Sequence, residues 1–281
     1  VTAMAEVEDE TKGLLAGGVD YITKPVSAPI VKARVRNHMQ LKLHQDHLEE
    51  LVQSRTRELA LTQDVTIHGL ASLAETRDNE TGRHLLRTQH YVRILALQLK
   101  DHPNFRDYLD ETTVEMLYKS APLHDIGKVG VPDAILLKPG RLDEDEFEEM
   151  KQHACHGRDA ILRAAELMGD HAITSFLRYA LEITYTHHER WDGTGYPQGL
   201  AGSDIPISGR LMAVADVYDA LISRRVYKPP LTHERAVEIM RQSRGSHFDP
   251  DALDAFLEIE DRFRGIAMQY ADQDEPGDSL C

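Results

Sequence analysis

Cysteine is nearly absent. Cys155 and Cys281 are the only two in 281 residues. Two thiols so far apart, one of them terminal, build neither a disulfide framework nor a zinc ribbon. A reducing, cytoplasmic setting is the expectation. No uninterrupted apolar run reaches the roughly 18 residues a membrane span needs, and the first residues lack the basic and apolar regions of a secretory leader. Strand signals are scarce as well. After residue 26 the apolar periodicity is helical, so the bulk of the chain is expected to be all-α. Positive charge is in short supply: 32 Lys and Arg stand against 47 Asp and Glu, a formal charge of −15. Such a surface repels nucleic acid. An anionic substrate would need local positive charge from metals, lysines and arginines.

The hydrophobic content of 41% is enough for a substantial core, and the length suggests one large domain with a smaller piece. Residues 1–40 form the odd segment. Val19–Ile22 reads as a short strand, Gly17-Gly18 as the end of a helix, and Thr23-Lys24-Pro25-Val26 as a loop. This run is similar to the second half of a response-regulator receiver domain. The resemblance implies that Lys24 matches the lysine beside the phosphoacceptor site and Thr2 the switch hydroxyl. The strands that carry the acidic pocket and the phosphoacceptor Asp are not in this chain, so phosphorylation control is not assigned to it.

Ser27 reads as an N-cap, opening a helix over about Ala28–Ala60, with residues 41–63 as a linker. Leu41, Leu48 and Leu51 have heptad-like spacing that Arg55 and Glu58 interrupt. A signalling helix with a modest homodimer seam and a solvated linker are both compatible with that pattern. Residues 64–265 are expected to be a helical bundle. Val65, Leu70, Leu73 and Ala74 form one apolar stripe, and Tyr91, Ile94, Leu95, Leu97 and Leu99 another. Helices are further expected over 112–120, 144–167, 173–186, 209–223 and 233–242. Prolines punctuate the loops, and Asp249-Pro250 starts the last helix. Residues 266–281 read as an acidic, frayed tail.

The chemistry is concentrated in separated motifs. Glu80 and His84 are four apart, which on a helix puts both on one face. His124 and Asp125 are adjacent, with Lys128 following four residues after His124. His153 and His156 lie one turn apart in Met150–Gly157. His187 and His188 open His-His-Glu-Arg-Trp-Asp-Gly-Thr-Gly-Tyr-Pro, and Asp216 and Asp219 lie in Ala215–Leu221. Counting one of His153 and His156, and Asp125 and Asp216 with or without Glu80, five histidines and two or three carboxylates exceed what one structural zinc holds. The set suits two divalent metals, or three if Glu80 takes part, with iron or manganese favoured by the His/carboxylate mixture and zinc and nickel still open.

Together the motifs resemble the HD-GYP family, metal-dependent phosphodiesterases that hydrolyse cyclic dinucleotides, chiefly cyclic di-GMP. The resemblance spans roughly residues 64–260. It implies an HD-domain helical bundle with metal ligands at Glu80, His84, His124, Asp125, His153, His187, His188 and Asp216. It selects His153 over His156, although Ala154 stands where the family usually has proline. It also assigns Arg225 and Lys228 to the substrate phosphates. Asp125 is the expected bridge between metals and Lys128 the helper at the phosphate. Tyr196 is expected to stack on or hydrogen-bond a guanine, with Gly193 and Gly195 giving the turn its freedom. Asp219 is expected behind the ligands. Paired metals answer both difficulties of phosphodiester hydrolysis, generating a nucleophile near neutral pH and stabilising charge on the phosphorane oxygens. The expected reaction gives linear pGpG, with continuation to GMP left open. Two rivals stand beside it: another HD-type nucleotide phosphohydrolase, which would lack the Gly-Tyr-Pro stretch, and a non-catalytic cyclic dinucleotide sensor that contacts partners through that loop.

Overall fold

The structure, a computed structural model, describes residues 11, 15, 17–20, 22, 25–77, 83–167, 176–223 and 230–271. Thr2, Lys24, Glu80, Arg225 and Lys228 lie outside the described residues. The chain divides into two units, residues 1–62 and 63–281. Among the described residues there is no named strand. Val19, Asp20 and Ile22, read above as part of a strand, are not in one.

In the first unit Asp20 pairs with Arg34 at 2.5 Å and with His38 at 3.2 Å. Helix α1 begins here and runs over Ala28–Glu75, fifteen residues past the expected end near Ala60. Nothing in Leu61–His68 breaks a helix, and the first glycine, Gly69, has open space around it. No described residue between 28 and 62 is buried.

In the second unit the inward face of α1 is Ile67, Ala71 and Ala74, while Val65, Leu70 and Leu73 are 72%, 51% and 65% exposed. Of the expected stripe, Ala74 faces inward while Val65, Leu70 and Leu73 lie on the opposite face. Small alanines at helical spacing let the helix approach Leu85, Leu123 and Ile161 closely, which larger leucines would prevent. The remaining helices are α2 (Arg83–Leu99), α3 (Glu111–Ser120), α4 (Asp133–Leu136), α5 (Glu144–Glu166), α6 (Phe176–Thr186), α7 (Ile207–Ile222), α8 (His233–Gln242), α9 (Pro250–Glu258) and α10 (Glu260–Gln269). Short 3₁₀ turns occupy Ala121–Leu123, Ile126–Gly130 and Gly202–Asp204. No helix among the described residues is long and apolar enough to cross a membrane.

Local chemistry sets the starts. Asp110 accepts from Thr113 N at 2.6 Å. Asp143 and Glu146 form a reciprocal capping box. Asp249 accepts from Asp251 N, with Pro250 in the first turn. The main core joins α2, α3, α6, α7, α8, α9 and α10. Tyr91 stacks on Phe263 at 4.6 Å and Tyr218 meets that ring edge-on at 5.4 Å. Ile266 also packs against this core, so the bundle extends past residue 265 and the tail starts after α10.

Candidate metal centre

Two glycines bring the His124–Lys128 turn onto α5. A Cβ on Gly127 would lie 1.9 Å from the His153 carbonyl oxygen, and one on Gly157 would lie 2.3 Å from Thr184 Cγ2. Only bare backbone fits there. His124 and Asp125 therefore sit between two 3₁₀ turns rather than along one helix. Arg77, just past α1, holds the exit of this turn by donating to the Val131 carbonyl at 3.2 Å and to Asp133 at 2.6 Å.

The candidate ligands converge from separate elements. Asp125, His153, His187 and His188 form one group, and His84, His124 and Asp216 a second. Asp125 faces both. Its Oδ1 is 3.3 Å from His153 Nε2 and 3.5 Å from His187 Nε2, while its Oδ2 is 3.4 Å from His124 Nε2 and 2.8 Å from Lys128 Nζ. In the 3₁₀ turn Lys128 is one turn from Asp125, not from His124. His84 Nε2 lies 3.2 Å from His124 Nε2 and 3.9 Å from Asp216 Oδ1.

The backs of the rings settle their protonation. His124 Nδ1 donates to Ala121 O at 2.9 Å, His153 Nδ1 to Met150 O at 2.8 Å, His187 Nδ1 to Ile183 O at 3.0 Å, and His84 Nδ1 to Asp219 Oδ2 at 2.8 Å. Carbonyls and carboxylates only accept, so each Nδ1 carries the proton. When neutral, each of these rings offers an Nε2 lone pair to the interior. Buried Asp125 Oδ1, His153 Nε2 and His187 Nε2 have no hydrogen-bond partner. Buried polar atoms are otherwise paired, and a cation would satisfy all three. The donor set fits divalent metal ions.

Charge follows the same logic. Burial pushes His153 down to about 4 and lowers His124. His188 falls well below the usual histidine range through burial and the neighbouring His187. For Asp125, burial acts to raise the pKa, but Lys128 and the surrounding imidazoles hold it well below the carboxylate range. Neutral imidazoles and ionised carboxylates are the forms that bind metal.

Behind His84, Asp219 is buried and accepts from Arg87 Nε at 2.7 Å and Nη2 at 2.9 Å. Burial opposes its charge, yet His84 and Arg87 hold it down to about 2. Asp219 thus stands on the far side of His84 from Asp216 and His124. Arg87 carried no signal in the sequence beyond its place three residues after His84. His156, the alternative to His153, is not in either metal-type group.

The Gly-Tyr-Pro loop closes one side. Glu189, which the sequence reading left without a role, is buried and accepts from Gln198 N at 2.7 Å and Leu200 N at 3.0 Å. Gly193 adopts φ +79°, and a Cβ on Gly195 would lie 2.3 Å from Arg190 N. Tyr196 lies on His188, with centroids 4.7 Å apart and planes 29° apart. Phe147 meets it edge-on at 6.2 Å, and Lys151 Nζ stands 5.7 Å from its centroid.

Buried imidazole lone pairs and carboxylates gathered inside a helical bundle suit a divalent metal centre. A family model described as HD domain matches residues 70–252. The chain is 54% identical over 281 residues to a Vibrio cholerae protein named probable cyclic di-GMP phosphodiesterase, a match covering 98% of this chain and 63% of that protein. It is 52% identical over 221 residues to a second V. cholerae protein, named cyclic di-GMP phosphodiesterase, covering 79% of this chain and 44% of that one. The chain thus spans under two thirds of the length of each of these relatives. A crystal structure of cyclic GMP-AMP specific phosphodiesterases from V. cholerae overlaps with TM-score 0.52 at 17% identity, over 75% of this chain and 51% of that one. At that identity the likeness shows the fold alone. The chain belongs to the HD domain family, in its HD-GYP branch.

Proposed function

We propose that this chain is a metal-dependent phosphodiesterase that hydrolyses cyclic di-GMP to linear pGpG, with GMP as the product of a second cut. The observation that carries the reading is Asp125, whose two oxygens face two separate groups of imidazole lone pairs. The names of the relatives support the substrate.

Metals held here would supply a nucleophile at neutral pH and positive charge for the phosphorane oxygens. The protein does the rest. His153, His187, His188 and Asp125 would hold the first metal, and His84, His124 and Asp216, with Asp125 beside them, the second. The mixed nitrogen and oxygen donors favour iron or manganese. A third position would require Glu80. Lys128, tethered to Asp125 at 2.8 Å, neutralises charge at the transferred phosphate. Arg225 and Lys228 clamp the substrate phosphates on a chain whose overall charge would repel a dianion. The pinned Gly-Tyr-Pro loop walls the base side and also serves signalling partners.

Residues 64–265 are proposed as the catalytic domain, extended by the rest of α10, with 1–40 as a receiver-like segment and 41–63 as a linker. Leu41, Leu48 and Leu51 are 64%, 58% and 45% exposed, and pairing of two linkers would cover them. A cytoplasmic location belongs to the same reading.

The test is product analysis. Anaerobically purified, metal-quantified protein is given cyclic di-GMP, and products are resolved by chromatography. Linear pGpG is expected, with Arg225→Ala and Lys228→Ala raising KM while leaving metal content unchanged. Tight binding without turnover at full metal occupancy would favour the sensor instead.

A further inference from the structure

We propose that Asp219 and Arg87 form a positioning pair that fixes which nitrogen of His84 faces the metal, and that this pair sets occupancy of the His84–His124–Asp216 position independently of the other. The inference rests on the metal-centre reading above.

The four hydrogen-bonded imidazoles are not supported alike. His124, His153 and His187 each lean on a carbonyl three or four residues earlier in the chain. These contacts are local in sequence. His84 opens α2. Its Nδ1 donates instead to a carboxylate 135 residues away. The side chains of both partners are nearly inaccessible, at 5% and 1%. Among the described ligands it is the one oriented by a tertiary contact with a charged group.

Asp219 is fully committed. It accepts from His84, twice from the Arg87 fork, and from Ser223 Oγ at 3.1 Å. This explains why Asp216 faces the metal-type group while Asp219, one turn on, does not. The helix offers one carboxylate to the site and the other to the back of a ligand. Arg87 is itself anchored, donating to Ser223 Oγ at 2.9 Å and to the Tyr270 carbonyl at 3.0 Å. Its guanidinium cancels the charge of Asp219 in the interior. A carboxylate behind an imidazole both orients the ring and strengthens its donation to a cation, and removal of such partners costs about 10–100-fold in metal affinity.

The structure therefore assigns one position a support that the other lacks. Asp219→Asn keeps the shape but offers an amide that can donate to Nδ1, turning Nε2 into the protonated nitrogen and spoiling it as a ligand. Manganese titration with metal counting, run on the intact chain, reads the outcome. Wild type is expected to hold at least two ions. Asp219→Asn is expected to bind one about 10–100-fold more weakly and the other as wild type does. Arg87→Lys keeps the charge without the fork and is expected to weaken the same ion by less; it keeps the test readable if Asp219→Asn does not fold. A role in stability alone would not move the second readout, the imidazole nitrogen spectrum of metal-free protein. There His84 is expected to be protonated at Nδ1 in wild type and at Nε2 in Asp219→Asn. Unaltered affinity for both ions, or a wild-type His84 without a proton on Nδ1, overturns the pair. Absence of manganese binding in folded wild type overturns the metal-centre reading instead, and the imidazole spectrum still reports whether the pair exists.

Discussion

The ring of Tyr196 lies on the ring of His188, 4.7 Å between centroids with planes 29° apart. One face of the tyrosine is thereby committed to a metal-type histidine. This gives the Gly-Tyr-Pro loop a share in assembling the centre that a purely base-reading loop would not have. An aromatic pair of this kind contributes about 0.5–1.5 kcal/mol. Tyr196→Ala is expected to weaken metal binding at the His188 position by up to about tenfold, while Tyr196→Phe binds as wild type. Metal titration of the two variants side by side checks this, and equal affinity in both would leave the loop as a reader of the base only.

Glu189 pins that loop from beneath. Both carboxylate oxygens accept from loop amides, those of Gln198 and Leu200. In Glu189→Gln only one oxygen remains, and one buried amide faces an NH2 group. Leaving such a group unsatisfied costs about 1–3 kcal/mol. A lower melting temperature, faster protease cleavage between residues 193 and 199, and a raised KM are expected. Wild-type cleavage kinetics would show the loop is held by other contacts.

The bundle was legible because helical spacing, capping residues and prolines are local signals. Asp143 with Glu146 and Asp249 with Pro250 announce their helices directly. The end of α1 was not legible, since nothing stops the helix at Ala60. Of its inward face only Ala74 is legible as such; Ile67 and Ala71 are hidden beside the larger apolar Val65, Leu70 and Leu73, which face outward. In the centre, adjacent His124-Asp125 and His187-His188 announced themselves by residue type. Arg87 and Glu189 did not. Arg87 meets its carboxylate 132 residues away, and Glu189 acts through backbone amides, which no side-chain pattern reveals.

His247 is expected to shape the acid response. It stacks on Phe248 at 4.4 Å, and burial, with Arg190 adding, pushes it from 6.5 down to about 4. The unfolded chain takes up a proton between those values that the folded chain refuses. The stability tied to neutral His247 is therefore fully present above about pH 6.5 and is lost as pH falls towards 4, by at most about 3 kcal/mol. Urea unfolding of metal-free wild type and His247→Gln between pH 4 and 7 checks this. The variant is expected to lose less stability on acidification, and parallel curves would refute the assignment.

Asp125 carries the proposed function. Metal content and conversion of cyclic di-GMP, measured on one anaerobically purified preparation of wild type and of Asp125→Ala, test the bridging carboxylate most directly. Wild type is expected to hold at least two metals per chain and to release pGpG. Asp125→Ala is expected to hold fewer metals and to release no product. An Asp125→Ala protein that keeps full metal occupancy and near-normal turnover would contradict the bridge.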